Sequence, residues 1–192
     1  MLFALQVVAA SRRDRRLAVG SSKTAGLEPI SNLCHLYHHM SNAHISPRWD
    51  ARFLALAMHI ADWSKHRTTK VGCVVVDDDR RIRVTGYNGF PRGVTDLPER
   101  LADRPTKLLL SVHAEANAVA TAARSGVSLA GCTAYITHPP CAACAAVLVQ
   151  AGIQRVVFQG QLRADWVDSE AAGRLIMDEA GVAWQRGAAT ET

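Results

Sequence analysis

The chain has 192 residues, 48% of them hydrophobic, which is enough for one well-packed core and too few to argue for two. Its formal charge of +5 is unevenly placed: residues 1–48 hold six Lys/Arg against two acids, and residues 49–192 hold sixteen against fifteen. A near-neutral body lacks the electrostatic footprint of a domain that grips a long phosphate backbone, and no apolar run approaches the roughly 20 residues that span a bilayer, so neither long nucleic acid nor a membrane is an expected partner.

The opening MLFALQVVAA has no charged segment ahead of its apolar stretch, unlike a secretory signal, and the Arg-rich SRRDRR that follows is its one feature reminiscent of a transit peptide. From Ser11 to Ser46 the sequence is rich in Ser, Gly, Asn, Arg and His without sustained periodicity. Residues 1–45 therefore read as a disordered basic tail, the HLYHH cluster within it as tail and not as a metal site, and Met40 as a second candidate start of translation. The folded domain is expected over residues 46–187, with 188–192 a short C-terminal tail. It opens on SPRWDARFLALAMHIADW, where Ser46 can cap, Pro47 suits the first helical position, and Trp49, Phe53, Leu56, Ala57 and Ile60 recur at helical spacing. The β-branched runs KVGCVVVD and IRVTGYN, parted by DDDR, predict a hairpin-like strand pair. Residues 88–112 read as a long connection. An Ala-rich helix follows over 113–124, closed by Gly126, then a strand CTAYIT, a helix over 141–150 stopped by Gly152, a strand QRVVF, a helix over 169–180 and a short last strand at VAW. That order predicts a three-layer α/β/α architecture, a mixed sheet with helices on both faces.

Five cysteines are an odd number, and two of them, Cys141 and Cys144, stand three apart at the mouth of a predicted helix, which argues against a secreted disulfide framework and for a reducing cytoplasm. Free N–H groups and the positive end of the helix dipole favour thiolates at that place. His113 opens the other Ala-rich helix in the same way. If both helices start at one edge of the sheet, the imidazole and the two thiolates can converge on Zn²⁺ and leave one tetrahedral corner for water, the mark of a catalytic and not a structural site. Glu115, two residues after His113, can then take a proton from zinc-activated water and deliver it elsewhere. A redox CxxC beside an unrelated histidine, or a structural zinc closed by a fourth ligand such as His138, are the competing readings.

The pattern H-x-E…P-C-x-x-C, here His113-Ala114-Glu115 and Pro140-Cys141-Ala142-Ala143-Cys144, is similar to the signature of zinc nucleobase deaminases. With GYNGFPRG over 86–93 and AGIQRVVF over 151–158, residues 49–186 resemble the deoxycytidylate (dCMP) deaminases of the zinc-dependent cytidine/deoxycytidylate deaminase family. The resemblance implies a cytidine deaminase-like fold and hydrolytic conversion of dCMP to dUMP with release of ammonia, in supply of the thymidylate precursor. It further implies a zinc-bound hydroxide with Glu115 as proton shuttle, a homo-oligomer, and dCTP and dTTP as allosteric ligands. It nominates Asn88 as a sugar contact and the backbone of Ala114 as a base contact, while Lys65, Thr68 and Arg92 are the candidate phosphate donors. The chain departs from the family's S-K-D-P segment by carrying His66 and Arg67, and His66 is expected to be a solvated loop residue. A deaminase of cytidine, guanine or tRNA adenosine, and a non-catalytic zinc-stabilised binding module, remain as alternatives.

Overall fold

The structure, a computed structural model, describes residues 46–161 and 164–187; the N-terminal tail with Met40 and the C-terminal tail lie outside the described residues. Five strands form one sheet: β1 (Gly72–Val76), β2 (Ile82–Tyr87), β3 (Thr133–Ile136), β4 (Arg155–Phe158) and β5 (Ala183–Arg186), in the order β2-β1-β3-β4-β5. β1 runs antiparallel to both β2 and β3, whereas β3, β4 and β5 are parallel. The mixed sheet expected from the sequence is therefore present, with the last strand extending from Ala183 to Arg186.

Helices cover both faces unequally. Helix α1 (Pro47–Ala61) lays Phe53, Leu54, Ala57 and Ile60 on Val74, Val76, Tyr135 and Val157. On the opposite face, α4 (Ala114–Ser125), α5 (Ala142–Gln150) and α6 (Val167–Glu179) pack against Cys73, Val75, Ile136, Val156 and Phe158. The strand period of two explains the division, since alternate residues of the fully buried β1 point to opposite cores. Each buried Val or Leu contributes about 1.5–3 kcal/mol. Ser46 occupies the N-cap of α1 but its side chain makes no capping bond; its carbonyl instead accepts from Trp49 and Asp50.

Two glycines set how closely helices approach the sheet. A Cβ on Gly72 would stand 2.1 Å from the Ala57 carbonyl oxygen, and one on Gly86 would stand 2.3 Å from that of Ala114. No side chain fits at either point, so α1 lies directly on β1 and the first turn of α4 directly on β2. The Asn117 amide donates to the Tyr87 carbonyl at 2.8 Å and fixes α4 along the strand.

The connection over residues 88–112 is more ordered than its composition suggests. It contains α2 (Pro98–Ala102) and α3 (Arg104–Leu110), and its ends are tied by an antiparallel bridge between Gly89 and Val112. Asp103 caps α3 by accepting from the Thr106 amide at 2.9 Å, and proline stands in the first turn of both helices. These are ordinary start signals. Neither helix has a buried residue, so no apolar stripe marks them in the sequence.

α1 is also bound to the sheet by a buried ion pair. Asp50, 4% exposed, accepts from both terminal nitrogens of Arg155 at 2.9 and 2.6 Å, from the Tyr135 hydroxyl at 2.8 Å and from Gln185 at 3.0 Å. One carboxylate thus joins α1 to β3, β4 and β5. Burial and the neighbouring Asp50 carboxylate push the Tyr135 phenol well up, so it remains a donor.

Candidate active site

The N-termini of α4 and α5 meet at one edge of the sheet. His113 is the N-cap of α4 and Cys141 the N-cap of α5, with Cys144 in the first turn of the same helix. His113 Nδ1 lies 3.5 Å from the sulfur of Cys141 and 3.5 Å from that of Cys144. Tetrahedral zinc, at about 2.0 Å from nitrogen and 2.3 Å from sulfur, requires a nitrogen–sulfur separation of about 3.5 Å. The donor set therefore fits zinc in both chemistry and spacing. His138 lies in the cleft wall but is not one of the clustered donors, which among the described residues are His113, Cys141 and Cys144 alone.

The approach to this centre is anchored from α6. Ser169 accepts the Ala142 amide at 3.1 Å, holding the start of α5. A hydrogen bond from Cys144, reinforced by His113, holds the Cys141 thiol well below the ordinary range, while the same sulfur pairing and burial push Cys144 up. Hydrogen bonding to Cys141 raises His113. A divalent cation that binds here displaces the protons these ligands hold.

Glu115, 4% exposed and in the first turn of α4, reaches the same centre without belonging to the metal cluster. Burial raises its carboxyl above the ordinary range, and the acid is within hydrogen-bonding contact of Cys144. These groups open onto a cleft of about 550 Å³, walled by Asn88 from the end of β2 and by Ala114 from the start of α4.

Of the residues nominated from the sequence, His113, Ala114, Glu115, Cys141, Asn88 and Thr68 line this cleft, and Cys144 completes the metal cluster. Lys65 and Arg92 do not line it; Lys65 is exposed and paired with Asp96 at 2.6 Å. Two cations of α3 take that wall instead, Arg104 and Lys107, the second donating to the Thr68 hydroxyl at 3.2 Å. Arg104 also pairs with Asp165. Both stand in the 88–112 connection, and only the turn of α3 selects them from its mixed charges. Trp166 is a further cleft residue that the sequence did not single out, its ring 5.5 Å from that of His113.

His66 corrects the expectation of a solvated loop residue. It is 5% exposed, lines the cleft, and bonds through both ring nitrogens, to Asn88 at 2.9 Å and to Ser111 at 3.1 Å. The reason is local: Ser64 donates to the Asn88 carbonyl at 2.8 Å and accepts the His66 amide at 3.2 Å, turning the loop inward.

A mixed sheet whose two helix mouths bring one imidazole, two thiolates and a buried carboxylate to a cleft defines a zinc hydrolase frame. The sequence profile of the cytidine and deoxycytidylate deaminase zinc-binding region matches residues 47–160. The chain is 35% identical over 143 residues to a deoxycytidylate deaminase of Homo sapiens, covering 72% of this chain and 79% of that one. It is 36% identical over 148 residues to a probable deoxycytidylate deaminase of Drosophila melanogaster, covering 72% and 71%. Its fold is similar to the crystal structure of a dCMP deaminase from the cyanophage S-TIM5 in complex with dCMP and dUMP, with a TM-score of 0.62 and 26% identity, covering 74% of this chain and 99% of that one. The chain belongs to the zinc-binding cytidine and deoxycytidylate deaminase family, and it is a zinc-dependent deaminase. No helix among the described residues is long and apolar enough to cross a membrane.

Proposed function

We propose that this chain hydrolyses dCMP to dUMP and ammonia. The observation that carries the reading is the buried Glu115 beside the His113–Cys141–Cys144 cluster, at the floor of a cleft whose rim is cationic. His113, Cys141 and Cys144 would hold zinc, which when bound would supply the Lewis acid that makes water acidic enough to react near neutral pH. Glu115 takes a proton from the attacking water, whose oxygen bonds to the amino-bearing carbon, and passes that proton to the adjacent ring nitrogen. It then takes the remaining proton from the hydroxyl now bonded to that carbon and delivers it to the amino group, so that C=O forms as the C–N bond breaks, one water is consumed and one ammonia is released. A carboxyl raised by burial suits this shuttle, because proton transfer both to and from it is then closer to balanced near neutrality.

The remaining contacts follow from what the cleft offers. The Ala114 backbone stands at the N-terminus of α4, where it can meet the polar edge of the base. Asn88 faces the sugar. Thr68, Lys107 and Arg104 line one wall with hydroxyl and cationic donors, which suits a 5′-phosphate and takes the role assigned from the sequence to Lys65, Thr68 and Arg92. The homo-oligomer, regulation by dCTP and dTTP at the α2–α3 segment, and a cytoplasmic location complete the proposal, as the family resemblance suggests.

Ammonia release measured across dCMP, dCTP, CMP, deoxycytidine and guanine tests the assignment. dCMP is expected to give by far the highest kcat/KM. Equal values for dCMP and deoxycytidine would reject the nucleotide reading and promote a nucleoside deaminase with the same zinc chemistry.

A further inference from the structure

His66 is a buried polar residue of the cleft that the zinc chemistry does not use. Its surroundings fix its protonation. Asn88 Oδ1 accepts the Val71 amide at 2.9 Å, so the amide nitrogen of Asn88 must be the atom that faces Thr69 and His66. That nitrogen donates to the Thr69 carbonyl at 2.9 Å and, with its second hydrogen, to His66 Nδ1 at 2.9 Å. Nδ1 is therefore an acceptor, and the ring proton sits on Nε2. Nε2 donates to the Ser111 hydroxyl at 3.1 Å, which donates onward to the Lys107 carbonyl at 2.6 Å. Every donor in this chain meets one acceptor, and the direction cannot be reversed without losing the Val71 bond.

Two consequences reach the cleft. Both hydrogens of the Asn88 amide are engaged inside the protein, so Asn88 offers a ligand only the free lone pair of Oδ1 and recognises a donor, as a sugar hydroxyl is. The other end of the chain terminates on the last turn of α3, the helix that presents Arg104 and Lys107. We infer that His66 is a positioning residue that holds Asn88 as a hydrogen-bond acceptor and ties it to the cationic α3 wall, so that sugar and phosphate recognition are set together. The inference rests on the nucleotide reading given above.

The ring works in this way only while neutral. A second proton would place an N–H against the Asn88 N–H. Burial is the main influence keeping His66 below the ordinary histidine range; Lys107 and His113 act in the same direction and Asp96 opposes them. Phe90 lies edge-on, its ring 6.3 Å away, and adds no charge.

The test uses the zinc-loaded full chain and steady-state kinetics with dCMP from pH 5 to 9. His66→Phe keeps a ring but removes both bonds, and is expected to raise KM about tenfold while kcat stays within about threefold, since an unpaired buried amide is costly at the binding site and not at the reacting carbon. His66→Gln retains one acceptor and one donor and does not titrate. It is expected to recover KM to within about threefold of wild type and to remove the rise in KM that the wild type shows on acidification. Unchanged KM in His66→Phe, or identical behaviour of the Phe and Gln variants, would overturn the inference. Failure of the wild type to turn over dCMP would overturn the substrate reading, and this inference with it.

Discussion

Asp50→Ala is expected to be the most destabilising single truncation outside the zinc centre. Asp50 is 4% exposed and accepts four hydrogen bonds, two of them from a guanidinium whose own side chain is 16% exposed. Removing the carboxylate leaves the partly buried Arg155 guanidinium with only the Tyr135 hydroxyl, at 3.4 Å, as a side-chain hydrogen-bond partner among the described residues. Breaking one side of such a pair costs about 3–5 kcal/mol. For a domain of this size each kcal/mol corresponds to roughly 2–4 °C, so Tm should fall by about 6–20 °C. Thermal unfolding followed by circular dichroism measures this. Because Asp50, Tyr135, Arg155 and Gln185 do not line the cleft, kcat and KM for dCMP should stay at wild-type values at temperatures well below melting. Asp50→Leu combined with Arg155→Met removes both charges and should recover most of the loss, since a desolvated pair offsets much of its own attraction. A loss below about 1 kcal/mol in Asp50→Ala would refute the reasoning, and so would a double variant no better than the single one.

Glu115→Gln should keep zinc and fold but lower kcat by at least about 10²- to 10⁴-fold, the range of one general acid–base step; a variant retaining a tenth of the wild-type rate would dismiss the proton-shuttle role. Elemental analysis should give one zinc per chain, and cobalt substitution followed by absorption spectroscopy should report three protein ligands, a fourth being contrary to the open site. Zinc uptake should release protons and weaken with acidification, because Cys144 and His113 are both raised and hold protons that the metal must displace; calorimetry in buffers of different ionisation enthalpy reads the number released. Lys107→Ala should penalise dCMP while leaving deoxycytidine nearly unchanged, with discrimination reduced by up to about 10²-fold, whereas Lys65→Ala should change neither; the reverse pattern would return the phosphate to the site first expected from the sequence.

The candidate zinc ligands were legible because their chemistry is carried by residue type and short spacing: a histidine and two cysteines at the starts of two predicted helices suit a metal wherever those helices meet. The order of the strands and of the four longer helices was equally legible, since β-branched runs, Ala-rich helical stretches and terminal glycines are local signals, whereas α2 and α3 within residues 88–112 were not. Tertiary structure alone decided that the helix mouths do meet, with Nδ1 of His113 3.5 Å from each sulfur, because that distance depends on the close packing that Gly86 permits between α4 and β2. It also decided which cations face the ligand. Arg104 and Lys107 are set apart from Arg92 and Lys65 by a short helix, none of whose residues is buried, that turns them to the cleft, and a helix without an apolar stripe leaves no periodic trace. His66 shows the same limit from the other side, for a histidine in a polar loop reads as solvated until Ser64, Asn88 and Ser111, from 2 to 45 positions away, supply the bonds that bury it. Sequence determines what such groups can do chemically, and folding determines which of them are brought within reach of one another.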